Sequence, residues 1–218
     1  SFVVTDGDKE FYSRIVVPEP TLCPDCRTQR RMVWRNERTL YQRQCDLCHK
    51  SIISIYDPKQ AYVVYCYECW YSDKWDAADY GQPIDFNRSF FEQFKELQLK
   101  VPRVYAMALD NENSEYTNGS AYNKDCYLIF VSDHNEDCMY SYGILNCVSS
   151  LDNLNVTKSE LTYSCVGCSG CYDVQYSIDS SGCRNSMFLL DCKAVSDCFM
   201  SYGLRNTQYV WRNQQLTQ

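Results

Sequence analysis

The chain has only two histidines in 218 residues, His49 and His134, so a Cys-His dyad or a histidine-rich metal site has almost nothing to draw on. No signal peptide and no transmembrane run can be found, which argues against a secreted or membrane-inserted protein. Net positive charge is also missing: the formal charge is -7, so the protein as a whole does not read as a general binder of nucleic acid. No thioredoxin-like βαβ frame surrounds Cys23-Pro-Asp-Cys26, and the Cys-Pro that usually closes an iron-sulfur run is missing from Cys165-Val-Gly-Cys168-Ser-Gly-Cys171.

What is abundant is cysteine. Fifteen in a chain of this size would be paired in a secreted protein, whereas in a reducing compartment some would hold metal and the rest would be buried as small apolar residues. Three separate Cys-x-x-Cys pairs before residue 70 and an odd total favour the reducing, cytoplasmic reading. At this length the chain forms one large or two small domains with a proper core.

The strongest motif is Cys45-Asp-Leu-Cys48, a seventeen-residue gap, then Cys66-Tyr-Glu-Cys69. Each Cys-x-x-Cys turn lets two thiolates reach one ion, and two turns complete a tetrahedral zinc shell. Between them, Ser51–Tyr56 and Ala61–Tyr65 are β-branched and aromatic runs separated by Asp57-Pro-Lys-Gln60, which predicts a hairpin. A short helical turn is expected after Cys69, over 70–75. Knuckle, hairpin, knuckle and helix describe a zinc-ribbon or treble-clef-like module. His49 is expected at the surface, since four thiolates already suffice.

Cys23-Pro-Asp-Cys26 has no obvious second pair inside the chain, leaving half a metal site, a redox pair, or a metal shared with the central module as its readings. Before it, Phe2-Val-Val-Thr5 reads as a strand, Asp6-Gly7 as a turn and Lys9–Arg14 as one helical turn. After it, Arg27, Arg30, Arg31, Arg35, Arg38 and Arg43 form a basic segment with Trp34 and Tyr41 interleaved. On a helix, Arg27, Arg31, Arg35 and Arg38 would share one face, suited either to RNA phosphates and base stacking or to pairing with acids such as Glu37. Residues 21–50 carry a net charge of +4 and residues 101–218 a net of -6, so the basic part lies on the metal-binding half. Residues 89–100 predict an amphipathic helix whose Phe90, Phe94 and Leu97 belong to a core between the halves.

From about Asn111 short Asx-Cys-aromatic units recur at intervals of about ten. Asp137–Asn146 matches Asp197–Asn206, which marks an internal repeat. Alternate members suggest a period near twenty-two, and hence four or five coils of a right-handed parallel β-solenoid about 20 Å long. Cysteine suits its narrow interior, and the Asx residue before it suits the turn. Cys165, Cys168 and Cys171, with Cys183, could alternatively hold a cluster. His134 sits in a polar corner with Asp133 and Glu136, which leaves no catalytic residue to nominate. The segment Trp211–Gln218 is a poor cap, suggesting that the native chain continues.

Two resemblances follow from these motifs. Phe2-Val-Val-Thr5, Phe11-Tyr12, Pro18-Glu-Pro20 and Cys23-Pro-Asp-Cys-Arg27 resemble the second half of the probable zinc-ribbon domain. This implies a first knuckle before Ser1, with which Cys23 and Cys26 would complete a site. The longer run through Trp34–Arg38, Tyr71–Asp76, Phe90–Leu97, Val101-Pro102 and Asn113–Thr117 into the cysteine repeats is similar to zinc-ribbon and cysteine-repeat proteins of candidate-phyla bacteria. That resemblance implies a small cytoplasmic bacterial protein and carries no activity with it.

The expectation is therefore a mainly β chain in three parts: 1–44 a partial zinc ribbon and basic segment, 45–105 a zinc-binding hairpin module with a connecting helix, and 106–218 the solenoid. Its metal ligands are Cys45, Cys48, Cys66 and Cys69, with Cys23 and Cys26 as a further pair, and its cofactor is Zn2+. It has no substrate, membrane or enzymatic role. It contacts RNA or a ribonucleoprotein through residues 27–43, or serves as a protein-protein scaffold without nucleic acid.

Overall fold

The computed structural model describes residues 2–217. Two compact units divide the chain, 1–36 and 37–218. Among the described residues, no helix is long and apolar enough to cross a membrane.

The first unit is two short helices. Helix α1 spans Asp6–Arg14 and starts at a capping box: Thr5 Oγ1 accepts from the Asp8 N–H while the Asp8 carboxylate accepts from the Thr5 N–H. This reciprocal cap starts the helix three residues earlier than expected, and Phe2–Thr5 is not a strand. Helix α2 spans Pro24–Met32, with Cys23 at its N-cap and Pro24 as its first residue. Because α2 ends at Met32, Arg35 and Arg38 lie outside it, and the four-arginine helical face does not form.

The second unit opens with a metal-module fold. Strands β1 (Tyr41–Gln44) and β2 (Ser51–Ser54) pair antiparallel, with the first Cys-x-x-Cys at their tip. The hairpin thus lies one strand earlier than expected. Strand β3 (Val64–Tyr65) pairs in parallel with β4 (Arg103–Val104), not with β2. Asp57–Gln60 still turns, through the Gln60 N–H to the Asp57 carbonyl at 3.0 Å. The neighbour of β2 is instead the backbone of Tyr105, whose carbonyl accepts from Ile55 N–H (3.0 Å) and Ser54 Oγ (2.7 Å). Helix α3 spans Tyr67–Trp70, inside the second Cys-x-x-Cys rather than after it. Trp75 packs edge-on to Tyr65 at 5.6 Å and donates its indole N–H to the Trp70 carbonyl, which closes the module's small core.

Helix α4 spans Phe90–Lys100 as the pattern predicts, but it buries nothing. Phe90 and Phe94 stack on each other at 5.8 Å and remain exposed, so their assignment to a core is corrected. The Arg88–Glu96 ion pair and the side-chain bonds of Gln93 to the Asp85–Ser89 loop hold the helix start in place of core packing.

From residue 106 onward the chain is a parallel β-solenoid of about nine coils. Every register pairs residue i with i+12: Ala108 with Ser120, Glu160 with Tyr172, Phe199 with Trp211. The coil is therefore twelve residues, not twenty-two, and the stack is about 40 Å long at roughly 4.8 Å per coil. Within a coil the unit is a triplet. One residue points inward, as do Asn123, Cys126, Ile129 and Ser132, and two point outward. The second outward residue, at 122, 125, 128 and 131 and so on, takes a left-handed φ near 50° and turns the chain. Asn, Asp and Gly tolerate that region best, which is the physical reason an Asx or Gly so often precedes each cysteine.

The inward residues answer a hydrogen-bond problem. The backbone ladder uses mainly the N–H groups of the two outward residues, leaving the inward N–H to find another acceptor. A small polar side chain one coil earlier supplies it. Ser114 Oγ accepts from Cys126 N–H at 2.9 Å, Asn135 Oδ1 from Cys147, Asn153 Oδ1 from Cys165 and Ser180 Oγ from Cys192. The nine solenoid cysteines are all buried. Their thiols point at carbonyls two residues back and, in all but Cys198, nine residues on, as Cys147 Sγ does to Leu145 and Val156. Burial pushes the Cys147 and Cys198 thiols up, keeping them protonated as donors.

The last strand, Val210–Trp211, pairs antiparallel with Gln214–Gln215 across a two-residue turn, Arg212-Asn213, in which both φ values are positive. This small hairpin covers the strand edge, so Trp211–Thr217 does form a cap.

Candidate metal centre

Four thiols converge at the tip of β1–β2 and the start of α3. The Sγ atoms of Cys45, Cys48, Cys66 and Cys69 all lie within 4.8 Å of one another. Cys48 and Cys66 are 3.7 Å apart, and four sulfurs tetrahedrally placed about 2.3 Å from one ion would stand about 3.8 Å apart. Three of the four residues are buried and Cys48 is exposed.

The backbone shapes both turns. His49 N–H donates to the Cys45 carbonyl and Cys45 N–H to the Lys50 carbonyl, each at 2.9 Å, while His49 takes a left-handed φ of 62° to close the first knuckle. His49 itself is exposed and offers no ligand. Cys66 is the N-cap of α3, and Trp70 N–H returns to its carbonyl at 2.9 Å. The two knuckles are tied together by Asp46: its N–H donates to the Val64 carbonyl, and its carboxylate accepts from Val64 N–H at 2.6 Å and from Arg43 at 2.9 Å.

Electrostatics divide the thiols of the cluster. Burial pushes the Cys45 thiol up, but backbone N–H groups of Cys48, Cys66 and Leu47 outweigh it and bring it to about 7. Burial raises Cys66 and Cys69, so these thiols would be loaded only by exchange of their protons for a metal ion. The donor set fits a soft divalent ion and leaves no open position for a reacting ligand. A cleft of about 380 Å3 beside Cys66, lined by Tyr67, Tyr105 and Glu115, has its cation, Lys50, already paired with Glu68 at 3.2 Å.

Other candidate residues fall elsewhere. Cys23 and Cys26 belong to no group of three or more ligating side chains among the described residues. Cys23 Sγ accepts from Cys26 N–H at 3.3 Å, and that bond lowers its thiol below the usual range. Cys165, Cys168 and Cys171 occupy three successive inward positions and point at the carbonyls of Val174, Ser177 and Ser180. They form no ligand group with Cys183, and the cluster reading is corrected. His134 Nδ1 meets Asp133 at 2.8 Å in an exposed corner.

The arginines split four ways. Arg27, Arg30 and Arg31 ride on α2, where Arg27 donates to Tyr12 Oη at 2.8 Å and Arg31 to Thr28 Oγ1 at 2.9 Å. Trp34, beyond the helix with Arg35, is 81% exposed. Arg38 lies 4.5 Å over the Tyr142 ring, while the Glu37 carboxylate accepts from Tyr142 Oη at 2.9 Å, laying this stretch on the solenoid. The Arg43 side chain is only 7% exposed and bonds Asp46 and the Tyr62 carbonyl. It braces the knuckles rather than facing a ligand. The interknuckle role of Asp46 and Arg43 was missed in the sequence, where Arg43 reads as one more member of a basic run.

All fifteen cysteines are unpaired. No family model and no curated protein matches the chain. Among solved structures, it is similar at 13% identity to a perosamine N-acetyltransferase from Caulobacter crescentus, covering 56% of this chain and 57% of that one. The TM-score is 0.12, a likeness too slight to carry any argument.

Proposed function

We propose that this chain is a non-catalytic interaction scaffold, in which a zinc-clamped module anchors a solenoid that offers one apolar side to a protein partner. The observation that carries the reading is that side. Along the outward columns beginning at Glu115 and Tyr116, and at every twelfth residue after, rings meet rings: Tyr127 edge-on to Tyr140 at 5.7 Å, Tyr176 stacked on Phe188 at 5.0 Å, Phe199 tilted against Trp211 at 4.9 Å. These rings are half-exposed, whereas soluble monomers rarely leave contiguous apolar surface of this extent in water.

Zinc is the ion best suited to four thiolates in a closed shell, and the resemblance to zinc-ribbon and cysteine-repeat proteins supports it. Unpaired cysteines throughout favour a reducing compartment. With a closed metal shell and two histidines, one already bonded to Asp133, no residue set invites a catalytic role.

A photo-crosslinking phenylalanine analogue at Phe188 tests the reading. A protein adduct of discrete mass is expected, and its absence sinks the scaffold. The second reading, RNA contact, is favoured by exposed Trp34 near the arginines of α2. It predicts RNA affinity that falls with salt and is abolished by Arg30→Glu with Arg31→Glu. Affinity unchanged by that double variant removes it.

A further inference from the structure

The apolar side carries more than exposure, because its order along the stack says what covers it. Its nine coils run Glu115-Tyr116, Tyr127-Leu128, Met139-Tyr140, Leu151-Asp152, Tyr163-Ser164, Gln175-Tyr176, Met187-Phe188, Phe199-Met200 and Trp211-Arg212. A carboxylate stands at one end and a guanidinium at the other. Two fully apolar coils lie inside each end, and the three middle coils each hold one polar residue, Asp152, Ser164 or Gln175. Polarity reads the same from both ends, and the two end charges are opposite, while Asp152 faces the neutral Gln175-Tyr176 coil.

We propose that this side is the interface with a second copy of the same chain, packed antiparallel about a two-fold axis at the Tyr163-Ser164 coil; the inference rests on the scaffold reading above. A two-fold axis makes a patch meet itself reversed, so self-complementarity must be written as a palindrome with opposite charges at its ends. In that arrangement Glu115 meets the Arg212 end of the second copy, and Arg212 meets its Glu115 end. The Tyr140 coil meets the Phe188 coil, and the polar middle meets itself. A parallel pairing would bring Glu115 to Glu115 and Arg212 to Arg212, at like-charge cost at both ends.

The area is sufficient. Nine side chains of the two columns stand 37–55% exposed. At roughly 150–250 Å2 for each large side chain, that is on the order of 800 Å2. A monomer's largest patch is about 300–600 Å2, and a standard interface takes about 800 Å2 from each partner. End-to-end stacking through the last coil is disfavoured because Gln214–Gln215 already pairs with the final strand.

Sedimentation velocity on the metal-loaded 218-residue chain, across protein concentration, tests the pairing. A dimer is expected, and a chain still monomeric at about 100 µM, where a μM-range interface would be saturated, overturns the proposal. Phe188→Arg, and independently Tyr140→Arg, should weaken association at least tenfold with the far-ultraviolet circular dichroism unchanged; dimers of unaltered affinity in both would place the interface elsewhere. Glu115→Arg should weaken it several-fold, and adding Arg212→Glu should restore it. Failure of that restoration removes the antiparallel order. In the crosslinking experiment at Phe188, an adduct of twice the chain mass supports the inference, an adduct of another mass overturns it while leaving the scaffold reading standing, and no adduct overturns both.

Discussion

The metal module and the solenoid solve the same problem, a shortage of large apolar core, by opposite means. Residues 41–75 gather a handful of buried side chains around four thiols placed to hold one metal ion at one point. Residues 106–212 also lack a broad apolar interior, but they distribute the work: each coil holds the next through ladder bonds, an inward side chain accepting from the coil after it, and a thiol donating to a carbonyl. The same residue type serves both halves, as an anion bound for a metal in the first and as a small protonated donor in the second. One half should therefore fail all at once and the other by degrees.

The largest expected effect is at the metal. Chelation, or Cys66→Ser, should remove on the order of 10 kcal/mol of apparent binding energy and unfold residues 41–75, while the circular dichroism of the solenoid persists. Metal content and circular dichroism measured together decide it: loss of both signals would mean that the halves are not independent. Acid should do the same more gently. Ordinary thiols carry protons that a metal must displace, and with Cys45 near 7 and Cys66 and Cys69 raised by burial, affinity should rise with pH through neutrality and fall in acid. A titration in which metal is held equally well at pH 5 and pH 8 would contradict the ligand set.

Within the solenoid the effects are smaller and should be graded. Ile144, fully buried, should cost about 2–5 kcal/mol on substitution by Ala, seen as a lowered melting transition with the metal retained. Asn135→Ala leaves the Cys147 N–H and its neighbours without an acceptor and should cost about 1–3 kcal/mol, with Asn135→Ser recovering part of it. Smallest is the corner. Asp197, at φ 53°, should lose about 1–2 kcal/mol as Val, whereas Asp197→Gly should change little. If Val and Gly behaved alike at this position, the left-handed turn would not be what selects Asx there.

Much of this was legible in the residues. The four converging thiols, the solenoid and the inward cysteines follow from spacing and chemistry. The coil length did not emerge, for a physical reason. An inward position asks only for a small acceptor or a compact apolar group, so Ser, Thr, Asn, Cys, Val and Ile interchange there, and recurrences at twelve such as Asn111, Asn123 and Asn135 break off after a few coils. The signal was present in another form: all nine solenoid cysteines fall at positions divisible by three, and the segments beginning at Asp137 and Asp197 are sixty residues, five coils, apart. The basic run misled because arginines that look alike in sequence do unlike things: Arg43 braces Asp46, Arg38 covers Tyr142, and only Arg27, Arg30 and Arg31 share α2. The hairpin was displaced because β2 finds its partners in β1 and the returning Tyr105 backbone, contacts that no local pattern announces.

The twelve-residue register also imposes a reading frame on any change in length. A whole coil can be added or removed and every remaining side chain keeps its direction, so the apolar side could lengthen in steps of about 4.8 Å. A single inserted residue would shift everything downstream by one place in the triplet, turning thiols out into water and corner aspartates into the interior. Such a protein can drift in composition with little penalty, yet it can grow or shrink only by whole turns.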